Sequence, residues 1–190
     1  MATKGVILIV EDRLEEKIGA FENDLTNDGY TIKISETLEK AKKDIEILLK
    51  NDSLDGIILD FSFPVNDKDP SVNINGIPCG VALLRKYEFK ISNKRIPVVI
   101  NTTGDEEYKR KYLGNIENFT TPLYNVNHQA NPLAQATVQM KQQILKLFNS
   151  RTQQRQLMSN ITADNQWLQR GKTGVYDKKT GHYTYLRDGD

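Results

Sequence analysis

Residues 5 to 10, Gly-Val-Ile-Leu-Ile-Val, form an unbroken β-branched run that stops abruptly at Glu11-Asp12. A strand with one solvated face alternates apolar and polar residues. A run without alternation is buried on both faces, as in a parallel sheet covered by helices. The pattern recurs twice. Gly56-Ile-Ile-Leu59 ends on Asp60, and Ile96-Pro-Val-Val-Ile100 ends on Asn101-Thr102-Thr103. Between these runs the apolar spacing turns helical. Leu14, Ile18, Phe21 and Leu25 predict a first helix closed by Asn27-Asp28-Gly29, and the alternation of Tyr30 to Ile34 predicts an edge strand. Ser35 or Thr37 caps a second helix that carries Leu38, Ala41, Ile45 and Leu48 or Leu49, and a third starts near Gly80 with Val81, Leu84 and Tyr87 inward. Residues 64 to 78 hold Pro64, Pro70, Gly76 and Pro78 and predict an unusually long loop. Glu106 to Tyr112 predicts a short charged helix, and Ile116 to Thr120 a fifth strand closed by Thr121-Pro122. Asn131-Pro132 then opens a long helix reaching about Leu157.

Five successive βα units predict a flavodoxin-like three-layer α/β/α sandwich, with a parallel five-stranded sheet in the order 2-1-3-4-5. The expected domain spans residues 1–150. Residues 151–190 form a C-terminal tail, a helical extension followed by a β-hairpin around Lys178-Lys179-Thr180-Gly181, read as an interaction segment. A single cysteine, Cys79, excludes an intramolecular disulfide. With no apolar run near the ~20 residues that span a bilayer and no leader-like start, it sets the expectation of a cytoplasmic protein. The net charge is +1, and the tail carries 7 Lys+Arg against 4 Asp+Glu, thin for a surface that tracks nucleic-acid phosphates.

In open parallel sheets, ligands sit outside the carboxyl ends of the strands. With strands one and three adjacent, Glu11, Asp12 and Asp60 converge there. Packed carboxylates repel, and a hard divalent cation such as Mg²⁺ resolves the repulsion. An aspartate beside Mg²⁺ can act as a nucleophile toward a phosphoryl group, with the Thr102 hydroxyl placed to bond a phosphoryl oxygen. The bland alternative is that the three acids merely cap helix N-termini and that Thr102-Thr103 merely ends a strand. Cys79, His128, His182 and the Lys109-Arg110-Lys111 run give no sign of chemistry in their sequence context.

Ile-Leu-Ile-Val-Glu11-Asp12, Ile-Ile-Leu-Asp60-Phe-Ser-Phe-Pro64 and Ile-Pro97-Val-Val-Ile-Asn-Thr102 together resemble the response-regulator receiver domains of two-component signalling, over about residues 5 to 148. The resemblance implies that Asp60 is the phospho-acceptor, that Glu11 and Asp12 hold Mg²⁺ with Asp60 and the Ser62 backbone carbonyl, and that Thr102 is the switch hydroxyl. It further implies a histidine kinase or phosphotransfer protein as donor and a downstream protein partner. Such a protein is a phospho-acceptor in a phosphorelay rather than a turnover enzyme. Three departures stand out. Thr121-Pro122 occupies the place of the family's Lys-Pro pair, Asn118 with Phe119 beside it falls at the switch aromatic, and Val65 to Pro78 lengthens the loop after the acceptor. These departures support a second reading, a pseudo-receiver that binds a partner without phosphorylation. A third is nucleic-acid binding through the tail, and the long helix allows for a homodimer.

Overall fold

The computed structural model describes residues 4–102, 111–112, 123–125, 133–169, 174–177 and 182–185. Its chain divides into two compact units, Met1–Thr152 and Gln153–Asp190. In the first, the buried runs become β1 (Val6–Val10), β3 (Leu54–Leu59) and β6 (Val98–Ile100), joined by β2 (Thr31–Ser35) and β7 (Leu123–Asn125). All neighbours are parallel, in the order β2-β1-β3-β6-β7, which is the expected 2-1-3-4-5 arrangement of the sheet's five strands. No helix among the described residues is long and apolar enough to cross a membrane.

Successive strand side chains point to opposite faces, and the core divides accordingly. Leu8, Val10, Ile57, Leu59, Val98 and Ile100 meet α3 (Leu38–Lys50) and α4 (Cys79–Asn93) on one side. Ile7, Ile9, Ile58 and Val99 meet Phe21 and Leu25 of α2 (Phe21–Asn27) and Ile144 and Phe148 of α5 (Val138–Gln169) on the other. A Cβ at Gly56 would collide with the Phe148 ring, so a glycine in β3 is what lets α5 approach the sheet. Polar contacts complete the docking of α5. The Thr152 hydroxyl donates to buried Asp55 at 2.9 Å and lies 3.0 Å from the Tyr30 hydroxyl, which donates to Asn149 at 3.1 Å.

Several elements depart from expectation. The first helix is broken into α1 (Leu14–Lys17) and α2, with Gly19 between them in the left-handed region at φ +51°. A Cβ there would lie 3.0 Å from the Ala134 Cβ, so both the conformation and the space call for glycine. The long connection after β3 contains a small antiparallel hairpin, β4 (Asn73–Ile74) with β5 (Ile77–Pro78), turned by Asn75-Gly76, both at positive φ. The backbone carbonyls of Pro64 and Val65 accept from the amides of Leu38 and Glu39, which satisfies donors in the first turn of α3. The strand beside β6 is Leu123–Asn125, so Pro122 precedes the fifth strand instead of closing it. The expected strand at 116–120, the Thr121-Pro122 pair and most of the charged helix at 106–112 lie outside the described residues. A 3₁₀ turn, Leu133–Gln135, precedes α5, which runs on to Gln169, well beyond the expected end near Leu157. In the second unit, β8 (Gly174–Asp177) pairs antiparallel with β9 (His182–Tyr185), the predicted hairpin; its Lys178–Gly181 turn lies outside the described residues.

Candidate functional site

The parallel order puts the C-terminal ends of β1 and β3 side by side, Val10 beside Leu59. Glu11 and Asp12 follow one strand and Asp60 the other, and one carboxylate oxygen from each lies within 4.8 Å of the others. Glu11 and Asp60 are each 1% exposed, whereas Asp12 is exposed and its carboxylate is 4.0 Å from Arg13 Nε. The two buried acids share one design. Glu11 Oε1 accepts from the Arg13 amide at 3.1 Å and Asp60 Oδ1 from the Phe61 amide at 2.6 Å. The other oxygen of each, Glu11 Oε2 and Asp60 Oδ2, is buried and accepts no hydrogen bond among the described residues. The Arg13 amide therefore accounts for one oxygen of Glu11 and leaves the second unexplained.

Buried acceptors without donors are costly, and carboxylates without counter-charge more so. Burial pushes the Glu11 carboxyl up to about 8; the neighbouring Asp60 charge adds to the rise, and the Arg13 amide and the Lys17 charge oppose it. Burial also raises Asp60, against the pull of Lys17, the Thr102 hydroxyl and the amides of Phe61 and Ser62. Two hard oxygens that accept no hydrogen bond among the described residues, beside a third carboxylate, suit a hard cation such as Mg²⁺. The donor set fits that ion.

A pH dependence follows. Between the ordinary glutamate value of 4.5 and about 8, the folded chain keeps a proton on Glu11 that the unfolded chain has released. Unfolding free energy then falls as pH rises, by at most about 1.4 kcal/mol per pH unit. In EDTA, the melting temperature is expected to decline from pH 5 to pH 8 and level off above. With Mg²⁺, which takes the ionised form, the stabilisation is expected to grow over the same range. Thermal melts along both pH series check this, and a flat EDTA series would contradict it.

The remaining predicted residues fall around the same edge. Thr102 is buried just past β6, and its hydroxyl favours the ionised Asp60 carboxylate. Ser62 follows between buried Phe61 and Phe63, whose burial fixes the backbone course after Asp60. Cys79 is buried with its thiol pushed up by desolvation, 3.9 Å from the Ser71 carbonyl oxygen, a packed group. His128 lies outside the described residues, and His182 is in β9, in the other unit.

Three residues at the site had not been singled out for it. Lys17 is 1% exposed, with Nζ 3.9 Å from Asp60 Oδ2. Asn101 donates from Nδ2 to the Lys17 carbonyl at 3.3 Å and accepts the Leu133 amide at 3.2 Å. Gly80 lies against the Asp60-Phe61 backbone and donates its amide to the Phe61 carbonyl at 3.0 Å.

No protein-family model matches the sequence, and the comparison with curated proteins gave no match. Among solved structures, a phosphorylated cyanobacterial phytochrome response regulator superposes with a TM-score of 0.50 at 20% identity, over 78% of this chain and 96% of its own. The chain has the receiver-domain fold. Further similarities are to the receiver domain of a sensor histidine kinase from Pseudomonas aeruginosa (TM-score 0.49, 16% identity, 80% of this chain and 98% of that one), whose structure carries a magnesium ion in its active-site cleft, and to the signal receiver domain of a LuxO repressor protein from Vibrio parahaemolyticus (0.46, 16%, 83% and 96%). In the receiver fold the C-terminal edge of β1 and β3 is where a parallel sheet offers its ligand crevice, and this chain sets its three acids there.

Proposed function

We propose that this chain is a signalling receiver that accepts a phosphoryl group on Asp60 with Mg²⁺ bound at Glu11, Asp12, Asp60 and the Ser62 carbonyl. The observation that carries this reading is the pair of buried oxygens, Glu11 Oε2 and Asp60 Oδ2, that have no hydrogen-bond donor among the described residues yet sit together with Asp12. When bound, the ion supplies positive charge that ionises the acids and offsets charge on a phosphoryl group. The chain's own groups do the rest. The Phe61 amide fixes Asp60 Oδ1, which leaves Oδ2 as the attacking atom. Thr102, beside Asp60 and at the end of β6, is the hydroxyl that would follow a phosphoryl oxygen and carry the change toward β6 and β7.

The donor under this reading is a histidine kinase or phosphotransfer protein, and the output is an altered protein-binding face. The 151–190 segment is the proposed interaction segment, a role supported by the exposed Leu157, Met158 and Ile161 on α5. The pseudo-receiver reading draws on a sequence fact, since residues 112 to 140 hold no lysine or arginine. Moving the fifth strand to Leu123–Asn125 therefore does not restore a lysine after it. Incubation with acetyl phosphate, in Mg²⁺ or in EDTA, separates the two readings by intact mass. A gain of one phosphoryl group in Mg²⁺ alone is the expected result, and no gain in either buffer leaves the phosphorylation-independent reading.

A further inference from the structure

The acidic cluster already faces a cation that the sequence pattern did not point to. Lys17 is the last residue of the one-turn helix α1, and the chain breaks immediately after it through Ile18 and Gly19. A lysine on an amphipathic surface helix normally points to water. This one is 1% exposed, and its Nζ is 3.9 Å from Asp60 Oδ2, the oxygen that accepts no hydrogen bond among the described residues. Its backbone is held as well. Asn101 reaches from the end of β6 to the Lys17 carbonyl and is itself fixed by the Leu133 amide. The break at Gly19, the Asn101 clamp and the burial of the side chain all aim one ammonium group into the cluster. Arg13, another cation nearby among the described residues, is half-exposed and lies 3.5 Å from Glu16 and 4.0 Å from Asp12.

We propose that Lys17 is the resident counter-cation of the Glu11, Asp12 and Asp60 cluster. It does from α1 the electrostatic work for which residues 112 to 140 offer no lysine or arginine. This rests on the phospho-acceptor reading only for its second consequence. The first concerns the resting site. A fixed positive charge beside Asp60 opposes entry of a divalent cation, so the site binds Mg²⁺ more weakly than three carboxylates alone would. The second concerns transfer. Asp60 Oδ2 attacks the phosphorus of an acyl phosphate, the bond from phosphorus to the acyl oxygen breaks, and the carboxylate leaves with its electron pair; no proton moves. The new phosphoryl oxygens then meet the Lys17 ammonium, which stabilises their charge.

The test uses the full chain as wild type, Lys17→Gln and Lys17→Arg, with Mg²⁺ binding read by calorimetry and phosphoryl uptake from acetyl phosphate read by intact mass at saturating Mg²⁺. Lys17→Gln is expected to bind Mg²⁺ at least about tenfold more tightly and to take up phosphoryl at least about tenfold more slowly. Lys17→Arg, which keeps the charge, is expected to stay closer to wild type in both. The opposed directions are the signature, because a lysine that only held the fold together would lower both when removed. Loss of both together with a lower melting temperature, or no change in either, would overturn the proposal. If wild type takes up no phosphoryl group while Lys17→Gln still tightens Mg²⁺, the counter-cation role stands and the phospho-acceptor reading falls. Absence of Mg²⁺ binding in all three proteins would overturn both.

Discussion

Asp60→Asn is expected to abolish phosphoryl uptake from acetyl phosphate altogether while leaving the fold intact. The substitution keeps the shape of the side chain and a carbonyl oxygen that can accept the Phe61 amide, now 2.6 Å from Oδ1. What it removes is the proposed nucleophile, because an amide nitrogen or oxygen does not attack phosphorus at neutral pH. It also removes a buried charge that burial disfavours. Because it also takes one buried partner from the Lys17 ammonium, the variant is expected to melt somewhat lower than wild type in EDTA while keeping a folded circular-dichroism spectrum, which separates loss of chemistry from loss of structure. Mg²⁺ affinity is expected to fall, since one of three carboxylates is gone. Residual uptake at the wild-type rate would place the acceptor elsewhere and contradict the assignment.

The second large effect is expected at Gly80→Ala. A Cβ on Gly80 would overlap the carbonyl oxygen of Asp60 and come within 2.8 Å of the Phe61 Cα. Both neighbours are backbone, so no side-chain rotation relieves the clash. Forcing extra volume into a packed site costs roughly 1–3 kcal/mol, a fall of about 3–10 °C in melting temperature for a domain of this size. The displaced atoms belong to Asp60 and to Phe61, whose amide orients its carboxylate, so Mg²⁺ affinity is expected to drop together with stability. Gly76→Ala is the contrast. Gly76 is at φ +76° with open space around it, so its alanine carries only the left-handed strain, about 1 kcal/mol, and leaves Mg²⁺ binding unchanged. Equal effects at both positions would show that the contact between Gly80 and Asp60 does not hold the site.

The strands that carry the site could be read from the sequence because burial on both faces removes polar residues outright. Val6–Val10 is apolar throughout, Leu54–Leu59 is apolar except at Asp55 and Gly56, and each is followed directly by an acid. The same pattern placed Glu11, Asp12, Asp60 and Thr102 at one edge, since strand order is limited by right-handed crossovers. Prolines obscured the rest. Pro122 reads as the close of Ile116 to Thr120, yet it precedes the strand that pairs, as Pro97 precedes β6. A proline at a strand entrance gives up no ladder hydrogen bond, and sequence alone does not distinguish an entrance from an exit.

Lys17 was hidden for a different reason. In a continuous helix through Leu14, Ile18, Phe21 and Leu25 it sits at the margin of the apolar face, three residues after Leu14 and four before Phe21, where a lysine reads as a side chain that reaches out to water. In the structure it is buried at the end of α1, just before the break at Gly19, and the signal in the sequence was a glycine inside a helical pattern. Gly80 and Asn101 gave no chemical signal, since their importance lies in what they let approach or what they hold.

The most direct test of the central claim is to locate the phosphoryl group. Borohydride reduces an aspartyl phosphate to homoserine, so protein treated with acetyl phosphate and Mg²⁺, reduced and digested, carries the change at a single residue. The account predicts homoserine at position 60 and none when EDTA replaces Mg²⁺. Homoserine at another acid, phosphate on a histidine or hydroxyl side chain, or an unmodified Asp60 under conditions that saturate Mg²⁺ binding would contradict it.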